Sequence, residues 1–303
     1  MGNEELGTTG VLSQHIEQKY ANLRSTLKEM GTVALGYSGG VDSTLLLKVA
    51  ADVLGSNALA MIGRSETYPT REFEEAVTLA ERMGARYVVV TTEETDDLKF
   101  RENPPDRCYF CKTELFGKLQ EIATQEGIQW IADGTITDDV GDFRPGMRAK
   151  QEKNVRSPLL EAGFSKADVR ELSRHLDLPT WDKPSFACLS SRFPYGTGIS
   201  KENLTRVDSA ETFLRDEGFR FFRVRFHDDK TARIEVGAQE IHRLLEDALR
   251  ERLVKHLKSL GFVYVTLDLQ GYRTGSMNEV LSEETKKGYT VELELPGSKS
   301  RPA

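Results

Sequence analysis

Thr32-Val33-Ala34-Leu35-Gly36-Tyr37-Ser38-Gly39-Gly40-Val41-Asp42-Ser43 is the stretch on which the reading of this chain turns. Its first half, Thr32 to Tyr37, is a short apolar run bounded by Gly31, which predicts a buried strand. Beyond it, Thr44 to Leu54 is apolar at helical spacing and stops at Gly55, which predicts a helix. Strand, small-residue loop and helix start together form a phosphate cradle. Glycines let backbone N–H groups close on oxyanions, and the helix dipole adds partial positive charge. Ser38 and Ser43 can add hydroxyl donors. No Gly-Lys-Ser/Thr follows at the required spacing, so the loop is not a Walker P-loop. The plainer alternative is a glycine-rich turn without a ligand.

Outward from this loop, strand and helix patterns alternate. Ala58 to Gly63, Arg86 to Val90 and Trp130 to Ala132 read as strands. Helices are predicted from about Leu12 to Met30, Arg71 to Met83 and Lys112 to Glu126, and after the capping box Ser165-Lys166-Ala167-Asp168. Such alternation predicts an α/β fold, a doubly wound parallel sheet with ligands at the carboxyl ends of its strands. Ser38, Arg64, Ser65, Asp133 and Gly134 fall at those ends.

From Gly196 the pattern changes. A helix from about Glu202 to Arg215 precedes an alternating strand with Phe222, Val224 and Phe226 on one face and Arg223, Arg225 and His227 on the other. Asp228-Asp229-Lys230 turns it into a second strand, Ala232 to Val236, making a hairpin. A helix from Gln239 to Ser259 then leads to a strand with Val265, Leu267 and Leu269 on one face. Leu214-to-Phe226 and Leu257-to-Leu269 run in phase, a weak internal repeat that suggests a small α+β domain. We expect a first domain over 1–195, a second over 196–290 and a disordered tail over 291–303. The first dozen residues read as a loose arm.

At 303 residues, 38% hydrophobic and 29% charged, the composition is that of a soluble globular protein. A net charge of -7 weighs against general nucleic-acid binding. No apolar run approaches ~20 residues, so no membrane span is expected, and the N-terminus lacks a secretory signal's apolar stretch. Three cysteines suit a metal or redox site in a reducing compartment, hence a cytoplasmic protein. Cys108 and Cys111 follow the polar run Arg101 to Arg107, read as an exposed loop ahead of a helix; Cys188 lies far off. Three thiols suit a structural zinc completed by His175, a pair of buried inert thiols, or a [4Fe–4S] cluster with one open iron position.

These motifs resemble those of the LarE family of ATP-dependent sulfur transferases, in its three-cysteine branch. The resemblance runs from about Leu12 to Asn278. It rests on the SGGxDS loop at Ser38 to Ser43, a signature of the PP-loop ATP pyrophosphatases, and on Arg107-Cys108-Tyr109-Phe110-Cys111-Lys112. It further rests on Asp133-Gly134-Thr135 with Asp142-Phe143-Arg144-Pro145-Gly146, Cys188 to Gly196, Arg223 to His227, and Tyr264 to Asn278. The resemblance implies activation by ATP of the carboxylates of pyridinium-3,5-biscarboxylic acid mononucleotide and their conversion to thiocarboxylates. That is a step toward the nickel-pincer nucleotide of lactate racemase. It implies ATP, Mg2+ and a [4Fe–4S] cluster on Cys108, Cys111 and Cys188 as sulfur carrier. It also implies a homo-oligomer supplied by a sulfur-donor protein or free sulfide.

On this reading Ser38, Gly39, Gly40, Asp42, Ser43, Arg64, Ser65, Asp133, Gly134 and Arg192 bind nucleotide, with Asp42 and Asp133 toward the metal. Asp42 alone could instead be a helix-start carboxylate. Arg223, Arg225, Ser190 and Ser191 take the substrate, since an arginine pair on one strand face suits a phosphate or carboxylate. A solvated strand face is the plainer reading of that pair. Glu211 and Glu235 are expected to bind a divalent ion or to order the arginines. The rival readings are a PP-loop tRNA 2-thiolation enzyme, an amidotransferase-like ligase and a zinc-containing nucleotide-binding module.

Overall fold

The structure, a computed structural model, describes residues 12–140 and 145–289. The expected N-terminal arm and C-terminal tail fall almost wholly outside these residues, as do Asp142, Phe143 and Arg144 of the family motif. The first part of the chain runs α1 (Gln14–Met30), β1 (Val33–Tyr37), α2 (Val41–Leu54), β2 (Ala58–Arg64), α3 (Thr70–Arg82) and β3 (Arg86–Thr91). It continues α4 (Leu98–Arg101), α5 (Arg107–Gln125), β4 (Trp130–Ala132), α6 (Gly146–Glu152), α7 (Pro158–Glu161) and α8 (Lys166–His175). The four strands pair in parallel in the order β3-β2-β1-β4.

Alternation along the strands sends side chains to two cores. Val33, Leu35 and Tyr37 with Ala58, Ala60 and Ile62 pack on α1, α2, α3 and α8 through Leu27, Leu45, Ala76 and Val169. Ala34, Leu59, Met61 and Val90 face Phe116 and Leu119 of α5 on the other side. Helices therefore cover both faces. The PP-loop architecture expected from the sequence is present.

The remainder is built on a three-stranded sheet, β5 (Phe222–Asp228), β6 (Thr231–Val236) and β7 (Tyr264–Leu267), with α9 (Lys201–Asp216) and α10 (Asp247–Ser259) against it. β6 pairs antiparallel with β5 and parallel with β7. Its core joins Phe222, Val224 and Phe226 to Leu204, Leu214, Leu253 and Leu257, and draws in Leu189, Phe193 and Phe100 from earlier in the chain. The in-phase repeat is a repeated helix ending. Gly218 and Gly261 take φ of 81° and 95°, and Phe219 and Phe262 donate N–H bonds back to Leu214 and Leu257. These are Schellman caps, for which glycine is suited.

Three expectations change. The helix predicted from Gln239 breaks at Glu246, extended at ψ 125°, so a 3-10 stretch precedes α10. Leu269 is exposed beyond β7, because Asp268 accepts the Gln270 N–H and turns the chain at Gly271. Cys108 and Cys111 lie in the first turns of α5 rather than in a loop before it, since the helix starts at Arg107, directly after Pro104-Pro105-Asp106.

Candidate active site

The loop after β1 is held from three sides. Gly39 adopts φ 63°, and a Cβ there would stand 2.8 Å from Cβ and 3.0 Å from Cα of Ala76 in α3. Gly134, after β4, sits so close to α2 that a Cβ would be 3.0 Å from the Ser43 nitrogen. Ser43 Oγ accepts the Ser38 N–H at 3.3 Å and lies 3.1 Å from Ser38 Oγ, while Tyr68 Oη donates to the Ser38 carbonyl. The helix-start N–H groups of α2 thus open at the carboxyl end of the sheet, the geometry of an anion cradle. Gly39→Ala forces both a left-handed alanine and a shift of α3. It is expected to cost about 1–3 kcal/mol of stability, read in a denaturant titration, together with a loss of ATP binding.

Lysines converge on the loop. Lys183 Nζ donates to the Gly39 carbonyl at 3.3 Å and pairs with Glu72 at 2.8 Å and Glu75 at 3.1 Å. Lys166 Nζ bridges both carboxylate oxygens of Asp42, at 2.8 and 2.6 Å. Asp133 is enclosed: Lys150 at 2.9 Å and Ser157 at 2.6 Å hold one oxygen, and Thr135 Oγ1 at 2.8 Å the other. Burial pushes the Asp133 carboxyl up, but the charges of Lys150 and Lys112 and the hydrogen bonds outweigh it, so it stays below the ordinary range. With that cage filled, Asp133 organises the strand end rather than facing a metal.

The Cys111 thiol and the Cys188 segment meet at a shelf formed by the loops after β2 and β3. Ser65 and Thr67 hydroxyls both donate to Glu94 Oε1, at 2.8 and 2.6 Å, and the Cys111 thiol approaches the same oxygen at 3.8 Å. Thr67 also accepts the Leu189 N–H at 2.8 Å, anchoring the residue after Cys188. Farther on, Asn103 Nδ2 donates to the Pro194 carbonyl at 2.8 Å, and the Gly196 N–H to the Asn103 carbonyl at 2.9 Å. The Cys188 segment is therefore tied to the shelf and to the chain leading into α5. Burial pushes the Cys111 thiol well up, Glu94, Cys188 and Cys108 add to it, and Lys112 opposes them. Cys108 and Cys188 thus each lie within electrostatic range of Cys111. Two residues three apart near a helix start present their thiols on one face. None forms a disulfide. Among the described residues no three His, Cys, Asp or Glu side chains stand close enough to hold a metal ion, so the thiols are neighbours rather than a ligand cage. His175 lies in α8, on the sheet face opposite α5, so the Cys3His zinc set does not assemble.

The arginines divide into framework and site. Arg192, expected to touch nucleotide or substrate, is fully buried: it forms a bidentate pair with Glu211 at 2.9 and 2.7 Å and donates to the carbonyls of Ala187 and Cys188 at 2.7 and 3.0 Å. It fixes the Cys188 backbone and presents nothing to a ligand. Arg225 is likewise engaged, with Glu235 at 2.8 Å through two nitrogens, the Ser191 carbonyl at 2.9 Å and Ser276 Oγ at 2.9 Å. Glu211 and Glu235 therefore order arginines, and the divalent-ion expectation is not met, because their oxygens face guanidinium groups. Arg223 differs. Only 8% exposed, its contacts are neutral oxygens, Phe222 O at 2.6 Å, Ser185 O at 3.3 Å and Tyr272 Oη at 3.4 Å. Burial and the nearby Arg192 charge push its guanidinium down to about 10. The arginine face is covered rather than solvated, while His227 is exposed. Ser190 is buried with its hydroxyl unpartnered, and Ser191 Oγ accepts from Arg192 at 2.8 Å. Arg64, exposed at the end of β2, stacks on Phe73.

With this geometry in view, the comparisons are specific. The NAD synthase family model matches residues 15–109. An uncharacterized Synechocystis protein is 44% identical over 268 residues, which cover 88% of this chain and all of the other. The pyridinium-3,5-bisthiocarboxylic acid mononucleotide synthase of Lactiplantibacillus plantarum is 43% identical over 266 residues, 88% of this chain and 95% of that enzyme. The chain belongs to the LarE family. An uncharacterized Methanocaldococcus jannaschii protein is 28% identical over 260 residues, 85% of this chain and 98% of its own.

Within this LarE-family chain, sequence reasoning missed Glu94, Thr67, Lys150, Lys166 and Lys183. Glu94 had a usable signal. It lies just past the end of β3, and the strand-end rule that selects Ser38, Arg64 and Asp133 applies to that strand too. Lys183 stands in the same segment as Cys188. Lys150 and Lys166 carry no local pattern that separates them from surface lysines.

Proposed function

We propose that this chain is an ATP-dependent sulfur transferase. It adenylates the carboxylates of pyridinium-3,5-biscarboxylic acid mononucleotide and converts them to thiocarboxylates. The observation that carries the reading is the Leu189 N–H bond to the Thr67 carbonyl, which ties the Cys188 segment to the strand-end shelf beside the phosphate loop. Family membership supplies the substrate class, as the Lactiplantibacillus relative's name states.

Carboxylate oxygen is a poor leaving group, so sulfur does not displace it directly. A carboxylate oxygen attacks the α-phosphorus of ATP, the bond to the β-phosphate oxygen breaks, and pyrophosphate leaves. The loop N–H groups, the Ser38 and Ser43 hydroxyls and Lys183 offset the charge that collects on the departing oxygens. Mg2+ would accompany the triphosphate and neutralise its charge, and Asp42, paired here with Lys166, would be the residue to hold it. Nucleophilic sulfur then attacks the acyl carbon, and AMP leaves with the original carboxylate oxygen. Arg223, a buried cation among neutral oxygens, suits a phosphate or carboxylate of the substrate. Arg192, through the Ala187 and Cys188 carbonyls, keeps the Cys188 loop in register.

Cys108, Cys111 and Cys188 would hold a [4Fe–4S] cluster, which when bound supplies deprotonated sulfide for repeated turnover. Thiolates are the donor kind such a cluster takes, but among the described residues the three thiols do not converge on one metal position. The same reading carries a reducing, cytoplasmic setting, a donor protein or free sulfide as sulfur source, and a homo-oligomer. Exposed apolar Val263, Tyr264 and Val280 of the 196–290 part support the last. Among the described residues no helix is long and apolar enough to cross a membrane.

The test is anaerobic incubation with ATP, Mg2+, sulfide and the dicarboxylate nucleotide. AMP, pyrophosphate and a thiocarboxylate are expected in equal amounts. Formation of ADP and phosphate, or ATP cleavage that needs tRNA rather than the dicarboxylate, would overturn the assignment.

A further inference from the structure

Lys183 is held by a divided set of partners. Its Nζ donates to the Gly39 carbonyl of the phosphate loop at 3.3 Å and pairs with Glu72 at 2.8 Å and Glu75 at 3.1 Å, both on α3. The two carboxylates differ in setting. The Glu72 side chain is 5% exposed, and its other oxygen takes Arg215 of α9 at 2.8 Å. The Glu75 side chain is 46% exposed and lines, with Lys183, Arg71 and Gly39, a cleft of about 620 Å3. The Lys183 backbone is fixed as well: its N–H donates to the Thr180 carbonyl at 3.0 Å, and its carbonyl accepts from Arg170 at 3.1 Å. A lysine head on a flexible four-carbon stem keeps one position only where its partners hold it.

We propose that Glu72 is the positioning residue that keeps Lys183 on the phosphate loop, and that Glu75 is the partner Lys183 gives up when a nucleotide's phosphates arrive. The proposal rests on the nucleotide reading of the loop given above. A buried carboxylate between two cations is satisfied through both oxygens, and losing either cation is costly, so Glu72 stays. An ion pair with a half-exposed carboxylate is weak, because water competes for both groups. Phosphate oxygens entering the cradle therefore displace Glu75 and leave Glu72 as the pivot. No covalent bond changes; one ion pair is exchanged for another. Through Arg215 the same carboxylate ties the loop to α9, which packs on the arginine-bearing strand β5.

The test is calorimetric titration of the full chain with α,β-methylene-ATP and Mg2+, an analogue whose α–β bridge resists cleavage. Glu72→Gln and Glu75→Gln each remove one negative charge near an anion site, so charge alone would tighten binding in both. The expected changes have opposite signs. Glu75→Gln tightens binding about two- to fivefold, the range of an exposed ion pair removed as a competitor. Glu72→Gln weakens it about tenfold or more, since glutamine offers one acceptor oxygen to two cations and Lys183 loses its anchor. In a Lys183→Met background the gain from Glu75→Gln should disappear. Tightening by both variants, wild-type affinity in either, or a gain that survives Lys183→Met overturns the assignment. Should Glu72→Gln fail to fold, the Glu75 arm decides alone, because that side chain is half exposed. Wild-type protein that does not bind the analogue overturns the nucleotide reading together with this proposal.

Discussion

Cys188→Ala is expected to lower thiocarboxylate formation by at least about 100-fold while pyrophosphate release from ATP and the dicarboxylate nucleotide continues through the first turnover. The reasoning is geometric. Cys188 opens the 3-10 turn Leu189–Arg192, and its side chain makes no capping hydrogen bond there. The cradle at Ser38 to Ser43, with Lys183 and Lys166, is complete without the thiol. Removing a nucleophile or sulfur carrier therefore separates the two half-reactions, and effects of that size are ordinary for a group acting directly in a chemical step. Single-turnover quench with separate assay of pyrophosphate and sulfur product reads the difference. Equal loss of both products would instead assign Cys188 to nucleotide binding.

Arg192→Met gives the largest expected effect on stability. Glu211 is buried and accepts from Arg192 through both oxygens and from the Val224 N–H at 2.9 Å. Without the guanidinium it becomes an uncompensated buried charge, and the Ala187 and Cys188 carbonyls lose their donor. Breaking such a pair costs about 3–5 kcal/mol. A fall in Tm on the order of 5–15 °C should follow. The double variant Arg192→Met with Glu211→Leu should recover much of that loss, because the charge itself is gone. Burial pushes the Glu211 carboxyl up, but the pull of Arg192 wins and holds it below its ordinary value of 4.5. Its stabilisation is therefore complete above pH about 4.5 and is lost as pH falls through the lower folded value. The single variant should lose this acid-side slope, measurable by thermal melts across pH 2–6. A full-strength slope in Arg192→Met would show that the pair is not its source.

Local pattern carried the phosphate loop, because a strand, three small residues and a helix are contiguous and each obeys its own period. It carried the second sheet for the same reason, since Phe222, Val224 and Phe226 alternate strictly with the arginines. It misled at Cys108, where the polar, proline-bearing run before the pair mimics an open loop although the helix begins at Arg107. It misled at Arg192 as well. Ser190-Ser191-Arg192 has the look of an exposed turn, and only the fold brings Glu211 of α9 against it. Glu94 sits in the acidic run Glu93 to Asp97, which local composition assigns to solvent; its burial follows from the packing of Thr67 and Cys111 over it. What was legible depends on neighbours in sequence. The charged framework behind the site depends on neighbours in space.

The central claim is that a carboxylate is activated on the phosphate loop and meets sulfur at the adjoining cysteines. One measurement tests it most directly. The dicarboxylate nucleotide is labelled with 18O in its carboxylates, and AMP is analysed by mass after thiocarboxylate forms. One labelled oxygen in AMP for each sulfur installed is the result this account predicts. Unlabelled AMP, with the label appearing in water or phosphate, would contradict it.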